Sequence, residues 1–161
     1  MLPSSITVLK PARFKRHSTS WSMDVNWEKT IDLAENCSWA AGPNLGRRMR
    51  KNEFEDFECP FVAIEDDKVV GFCVITKTDY IQDCVYTPWI SFVFVDENYR
   101  GNRISQKMIN NVLEFAKTKG IDKVYISTEE ENFYEKYGFK QIDILKSYAN
   151  SMETILVYDL K

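Results

Sequence analysis

The stretch from Trp89 to Lys119 changes its hydrophobic period once, and this most narrows what the chain can fold into. "WISFVFV" is apolar at nearly every position, as a strand buried on both faces should be. After "DENYRGNR" the apolar residues Ile104, Met108, Ile109, Val112, Leu113 and Ala116 recur at helical spacing and form one stripe. Gly120 closes this helix as a C-terminal cap. "DKVYIST" then reads as another strand. A strand, a helix and a strand between residues 90 and 127 make a crossover, and crossovers between parallel strands are right-handed almost without exception.

The remaining chain fills in around that unit. "SITVL" reads as a first short strand, and a helix begins near Trp27, with Ile31, Leu33, Ala34 and Cys37 apolar and Gly42-Pro43 as its end. A second short helix, "NLGRRMRKNEF", follows. "FVAIE" and "VVGFCVITKT", joined by the polar "DDK", predict a hairpin. "EEENFYEKYG" reads as a short helix ended by glycine, and "FKQIDIL" with "METILVYDL" as a final antiparallel pair. No repeat or low-complexity linker interrupts the pattern. The fold class is α+β in a single domain over residues 1–161, long enough to bury a core without staples.

Charge and cysteine usage exclude several functions. The formal net charge is −3 and the one histidine is His17, so a broad basic footprint for nucleic acid is not supported. Basic clusters at Lys10, Arg13, Lys15, Arg16 and at Arg47, Arg48, Arg50, Lys51 read as solvated faces. Cys37, Cys59, Cys73 and Cys84 form no C-x-x-C pair, which predicts reduced thiols and no metal site, with Cys73 as core packing. The N-terminal segment lacks the apolar core of a signal peptide. The uncharged run "CVYTPWISFVFV" falls short of the ~20 residues that span a bilayer. These features predict a cytoplasmic protein that binds neither membrane nor nucleic acid.

The loop between the strand and the helix carries the chemistry. The first turn of a helix presents N–H groups without intrahelical partners, and the macrodipole adds about half a positive charge there. Gly101 lets the chain turn tightly with no Cβ in a ligand's way, and Arg100 and Arg103 add cationic groups suited to phosphate oxygens. Strand, glycine turn and helix start together make a pyrophosphate cradle. The chain contains neither G-x-x-x-x-G-K-[ST] nor G-x-G-x-x-G, so this is neither a P-loop nor a dinucleotide fingerprint.

"VDENYRGNRISQKMI" and the later "FYEKYGF" together resemble the two cofactor motifs of the GNAT superfamily of acyl-CoA-dependent N-acyltransferases. The family's Q/R-x-x-G-x-G/A pattern lies over Arg100, Gly101, Asn102, Arg103, Ile104 and Ser105, and its Y-E-K-x-G-F pattern over Tyr134 to Phe139. Arg103 stands where the family has its second glycine, and Ser105 where it has glycine or alanine. If position 103 needs a positive φ, arginine is strained there. Otherwise its amide serves the loop while the side chain points outward or meets a phosphate. The resemblance implies a mixed, twisted, mostly antiparallel sheet with flanking helices in three layers and one parallel strand pair that splays. Acetyl-CoA would lie in the splay, its pantetheine arm along Phe94 and Val95, its pyrophosphate on the amides from Arg100 to Ser105. The N–H of Phe94 would hold the thioester oxygen.

The implied reaction is transfer of the acetyl group to a primary amine of a small molecule or peptide by direct attack, without a metal. Tyr134 matches the family's tyrosine acid to the departing thiolate, whereas Tyr137 reads as core or surface. The base stays open among Asp96, Glu97, Asp79 and Asp83. Trp27, Trp39 and Met49 would wall the acceptor site on one side, and Tyr80, Tyr86 and Trp89 on the other. A non-catalytic acyl-CoA-binding regulatory module is the alternative. The last strand, "METILVYDL", is apolar enough to pair across a homodimer.

Overall fold

The computed structural model describes residues 5–11, 13–17 and 20–161. Residues 1–4, 12, 18 and 19, on which part of the reading of the N-terminal segment falls, lie outside the described residues, as do the side chains of Lys15 and Arg16. The chain opens with β1 (Thr7–Leu9) and a small separate hairpin, β2 (Phe14–His17) and β3 (Ser20–Met23). Two helices follow, α1 (Val25–Asn36) and α2 (Gly42–Lys51). Then come β4 (Cys59–Glu65), β5 (Lys68–Thr76), β6 (Trp89–Val95), α3 (Ile104–Thr118), β7 (Lys123–Thr128), β8 (Lys140–Lys146) and β9 (Met152–Asp159).

Local chemistry explains most of these boundaries. Asp24 caps α1, its carboxylate accepting from the Asn26 N–H at 2.7 Å, and Trp27, Ile31 and Ala34 form the buried stripe. The helix stops at Asn36, so Gly42-Pro43 does not end it as the sequence suggests. That dipeptide instead opens α2, where proline's missing N–H would have had no intrahelical partner and its fixed φ suits a helix start. The β4–β5 hairpin turns on Asp66 and Asp67, both at positive φ (47° and 61°), the geometry that matches strand twist in a two-residue turn. The short helix expected over "EEENFYEKYG" shrinks to one 3₁₀ turn, Tyr134–Tyr137, ended by Gly138. Such tight turns persist only in short pieces.

Seven strands form one sheet in the order β1-β4-β5-β6-β7-β9-β8, antiparallel throughout except for the parallel pair β6–β7. α3 covers one face. Its residues Ile104, Met108, Ile109, Val112, Leu113 and Ala116 pack with Phe61, Val124, Ile126 and Phe139, each of the larger side chains contributing roughly 2 kcal/mol relative to exposure. α1 and α2 cover part of the other face through Trp27, Ile31, Leu45 and Met49 on Val62, Phe72, Val74 and Phe94. The result is the α+β, three-layer arrangement expected. β9 lies between β7 and β8 and is paired on both sides. It therefore has no free edge for a dimer partner; the edge strand at this end of the sheet is β8.

Two irregularities position the site. The register of β5 and β6 shifts between Phe72↔Phe94 and Val74↔Ser91, with Phe92 at φ +54°, a bulge that bends β6. Beside it, β6 and β7 register at a single pair, Trp89↔Tyr125, and then part. The strands splay as the family resemblance implies.

Candidate active site

The loop between β6 and α3 is built by short-range bonds. Asp96 caps a 3₁₀ turn over Glu97–Tyr99, accepting from the Asn98 N–H at 2.9 Å, and Asn102 Nδ2 donates to Tyr99 O at 2.9 Å. Gly101 turns at φ +85° into open space, and Arg103 occupies the N-cap of α3 at φ 56°, ψ 29°. The strain foreseen for an arginine at positive φ is therefore present. Among the described residues no side chain caps this helix start, so the amides of its first turn are left without a side-chain partner.

Beside this loop runs a cleft of about 650 Å³ between the end of β6 and the segment from Glu130 to Tyr137. Val93, Phe94 and Val95 form one wall. Asp96 N–H donates to Val70 O at 2.8 Å. Because consecutive residues of a strand turn their main-chain groups to opposite edges, Phe94 shares the β5 side with Asp96, and Val95 faces the gap toward β7. Phe94 thus meets the cleft with its ring, stacked on Trp39 at 6.1 Å, while the main-chain groups on the open edge are those of Val95. The Val95 carbonyl accepts from Arg100 Nε at 3.0 Å, and the Arg100 guanidinium lies 5.7 Å from the Phe94 ring.

Tyr134 lies across the cleft from that wall. It is buried to all but 8% of its surface, in edge-on contact with Phe133, Tyr137 and Phe139. No hydrogen bond from the described residues reaches its hydroxyl, which leaves the hydroxyl free for a ligand. Burial, and then the negative charge of Glu130, raise its pKa above the ordinary tyrosine value, so the hydroxyl stays protonated and able to donate.

The cleft brings together Phe94, Val95, Arg100, Gly101, Arg103, Ile104, Ser105 and Tyr134, all named from the sequence. Asn102 turns its side chain into the loop and is not on the cleft wall. Of the carboxylates, Glu97 lines the cleft and accepts from Ser38 Oγ, Asp96 serves as a cap, and Asp79 and Asp83 stand in a different cavity. Tyr137 packs half-buried against the core, within the expectation, and does more than that. It lines the cleft and its hydroxyl bonds Ser105 Oγ at 3.1 Å. In a 3₁₀ turn residues i and i+3 eclipse, so the spacing of Tyr134 and Tyr137 held the signal once that turn type was known. Trp39, which also stacks on Phe72, connects the α1–α2 segment to this wall.

Among the described residues no group of three or more His, Cys, Asp or Glu is placed to hold a metal ion. The four cysteines are free thiols, and burial pushes Cys59 up to about 11 and Cys73 further, so neither is a ready thiolate. Among the described residues no helix is long and apolar enough to cross a membrane.

Comparison with known proteins agrees with this geometry. Residues 24–139 match the model of the Acetyltransferase (GNAT) family. The chain is 30% identical over 96 residues to N-alpha-acetyltransferase 30 of Schizosaccharomyces pombe, covering 56% of this chain and 63% of that protein. It spans between 45% and 63% of the lengths of the curated relatives it matches. Among solved structures, an aminoglycoside 6'-N-acetyltransferase complexed with coenzyme A superposes with a TM-score of 0.67 at 14% identity, over 96% of this chain and 97% of the other. The aminoglycoside 6'-N-acetyltransferase from Enterococcus faecium superposes at 0.69 with 14% identity, again over 96% and 97%. At such identities the likeness is one of fold.

Proposed function

The chain belongs to the acetyltransferase (GNAT) family, and from that premise we propose that it is an acetyl-CoA-dependent N-acetyltransferase acting on a primary amine of a small molecule or peptide. The observation that carries the reading is the meeting, in one cleft, of an uncapped helix start, an open strand edge and a tyrosine hydroxyl with no hydrogen-bond partner among the described residues. The fit of this cleft to acetyl-CoA follows from its donor set. The first-turn amides of α3 and the guanidinium of Arg103 suit the pyrophosphate. The open edge of β6 at Val95 suits the amide groups of the pantetheine arm, which would pair with it as a short added strand. Pairing there exchanges the bond from Arg100 to the Val95 carbonyl and releases that guanidinium toward a phosphate.

Acetyl-CoA supplies the activated acyl group. The protein's part is to hold the thioester between β6 and Tyr134 and to place donors where charge develops. The bulged edge of β6 between Val93 and Val95 offers main-chain donors to the thioester oxygen. Tyr134 donates to the sulfur as it leaves. The departing thiolate, whose conjugate acid has a pKa of ~8.5, would take a proton from a tyrosine of pKa ~10 or more only uphill, so the contribution is a hydrogen bond to growing negative charge. Glu97 and Glu130 are the carboxylates on the cleft itself.

The test is thiol release from acetyl-CoA against a panel of primary amines, peptides and aminoglycosides. Release that depends on the amine supports the enzyme. Tight acetyl-CoA binding with turnover on no amine would instead make the chain a binding and regulatory module.

A further inference from the structure

The 3₁₀ turn Tyr134–Tyr137 stands in the connection between β7 and β8, and little within that connection fixes its place. Among the described residues no side chain caps its start at Phe133. Its end is closed by two main-chain bonds, from the Gly138 N–H to Glu135 O at 3.1 Å and from the Phe139 N–H to Tyr134 O at 3.4 Å. Both bonds lie inside the segment and tie it to nothing else. Among the described residues, the one side-chain hydrogen bond between this segment and α3 joins the hydroxyls of Tyr137 and Ser105 at 3.1 Å. Ser105 is the second residue of α3, and both partners stand half-buried on the cleft wall. Position 105 is glycine or alanine in the GNAT motif, and neither carries a hydroxyl. The tie therefore belongs to this chain's own departure from the pattern.

The shape of the turn carries this tie to Tyr134. Residues i and i+3 of a 3₁₀ turn eclipse, so Tyr137 lies under Tyr134, their rings edge-on with centroids 6.1 Å apart. Phe133 touches both, at 4.9 Å from Tyr134 and 5.5 Å from Tyr137. The Tyr134 hydroxyl has no hydrogen-bond partner among the described residues, so its aim comes from these ring contacts and not from a bond of its own. Moving Tyr137 moves the stack that aims it. Such placement matters, because a donor works only within about 2.6–3.2 Å of the atom it serves. A misplacement of about 1 Å is enough to lower a rate by about 10²-fold.

We infer that Tyr137 and Ser105 are positioning residues: the bond between their hydroxyls fixes the Tyr134 turn against the start of α3 and so aims the Tyr134 hydroxyl at the thioester sulfur. The inference deepens the proposed N-acetyltransferase function and rests on it for what Tyr134 does once aimed. It gives the hydroxyl of Tyr137 a task different from holding the cofactor. Tyr137→Phe keeps the ring contacts with Phe133 and Tyr134, and Ser105→Ala keeps the main-chain amide of the helix start. Each change removes the tie and leaves the surfaces around it in place.

The experiment compares wild type, Tyr137→Phe, Ser105→Ala and the double variant by NMR of ¹³C-labelled tyrosine, with the Tyr134 signals assigned from Tyr134→Phe, and by thiol release from acetyl-CoA. In the unliganded proteins the Tyr134 ring is expected to be more mobile in each single variant than in wild type, and no more mobile still in the double variant. Each single variant should lower kcat by roughly 10- to 100-fold with acetyl-CoA affinity nearly unchanged. The double variant should lose no more than either single one, because the two changes remove one shared bond. Placed on top of Tyr134→Phe, Tyr137→Phe should cost nothing further, since its effect passes through the Tyr134 hydroxyl. The inference is overturned if the Tyr134 ring keeps its wild-type mobility in both single variants. It is equally overturned if the two losses multiply in the double variant, if the loss persists on top of Tyr134→Phe, or if it falls on acetyl-CoA affinity in place of kcat. Failure of wild type to bind acetyl-CoA would count against the proposed function, while ring mobility in the unliganded proteins still decides whether the tie holds Tyr134.

Discussion

Tyr134 and Arg103 show how single residues carry the site and what each costs. Tyr134 gives up the hydration of its hydroxyl to stand in the cleft, and burial keeps it protonated. Tyr134→Phe removes only the donor and keeps the ring contacts with Phe133 and Phe139. It should lower kcat by roughly 10- to 10⁴-fold, the scale of general acid catalysis, with little change in acetyl-CoA affinity. Steady-state kinetics with binding measured separately checks both halves. Arg103 is held at φ 56°, where a residue with a Cβ is strained by roughly 1 kcal/mol. Arg103→Gly should therefore stabilise the fold by up to about 1 kcal/mol in chemical denaturation while binding acetyl-CoA more weakly, since the guanidinium lines the cleft. Both residues were legible in the sequence as motif positions. The direction of Arg100 was not: its Nε donates to the Val95 carbonyl at the end of β6, five residues back.

Two glycine turns lie at or near the proposed cofactor cleft, and the elements around them treat a side chain differently. Gly101 at φ +85° has nothing within 4 Å of where a Cβ would stand. Gly138 at φ +97°, which ends the Tyr134–Tyr137 turn, would place a Cβ 3.0 Å from Tyr158 Cε2. Gly101→Ala should cost only the backbone conformation, about 1 kcal/mol. Gly138→Ala adds a clash with a ring packed on Phe139 and should destabilise more, a ranking that paired urea titrations would test. The strand-helix-strand unit was readable because its periods are properties of one element each. The ends of α1 and the nature of the 134–137 turn were not. A Gly-Pro dipeptide both ends and begins helices, and which it does depends on the partner that α2 packs against.

At the scale of the whole molecule, electrostatics works locally against the net charge of −3. The proposed seat for the diphosphate is the exposed start of α3, where attraction to an anion would be screened by salt. Raising ionic strength from about 0.1 M to about 1 M shortens the screening length from about 10 Å to about 3 Å. The acetyl-CoA dissociation constant should rise over that range by calorimetry, while S-acetyl-pantetheine, which lacks the phosphates, should show little change. What could be read from the chain alone was local: the buried strand, the amphipathic helix, the glycine turn and the tyrosine that ends up facing it. Periodicity and turn chemistry act within a few residues and need no partner. Which strand edge lies open, why β9 is enclosed, how Tyr137 reaches Ser105, and where Asp79 meets Ser127 are contacts between residues distant in sequence. No local period encodes them, because they depend on which strands pair and on where β6 and β7 part.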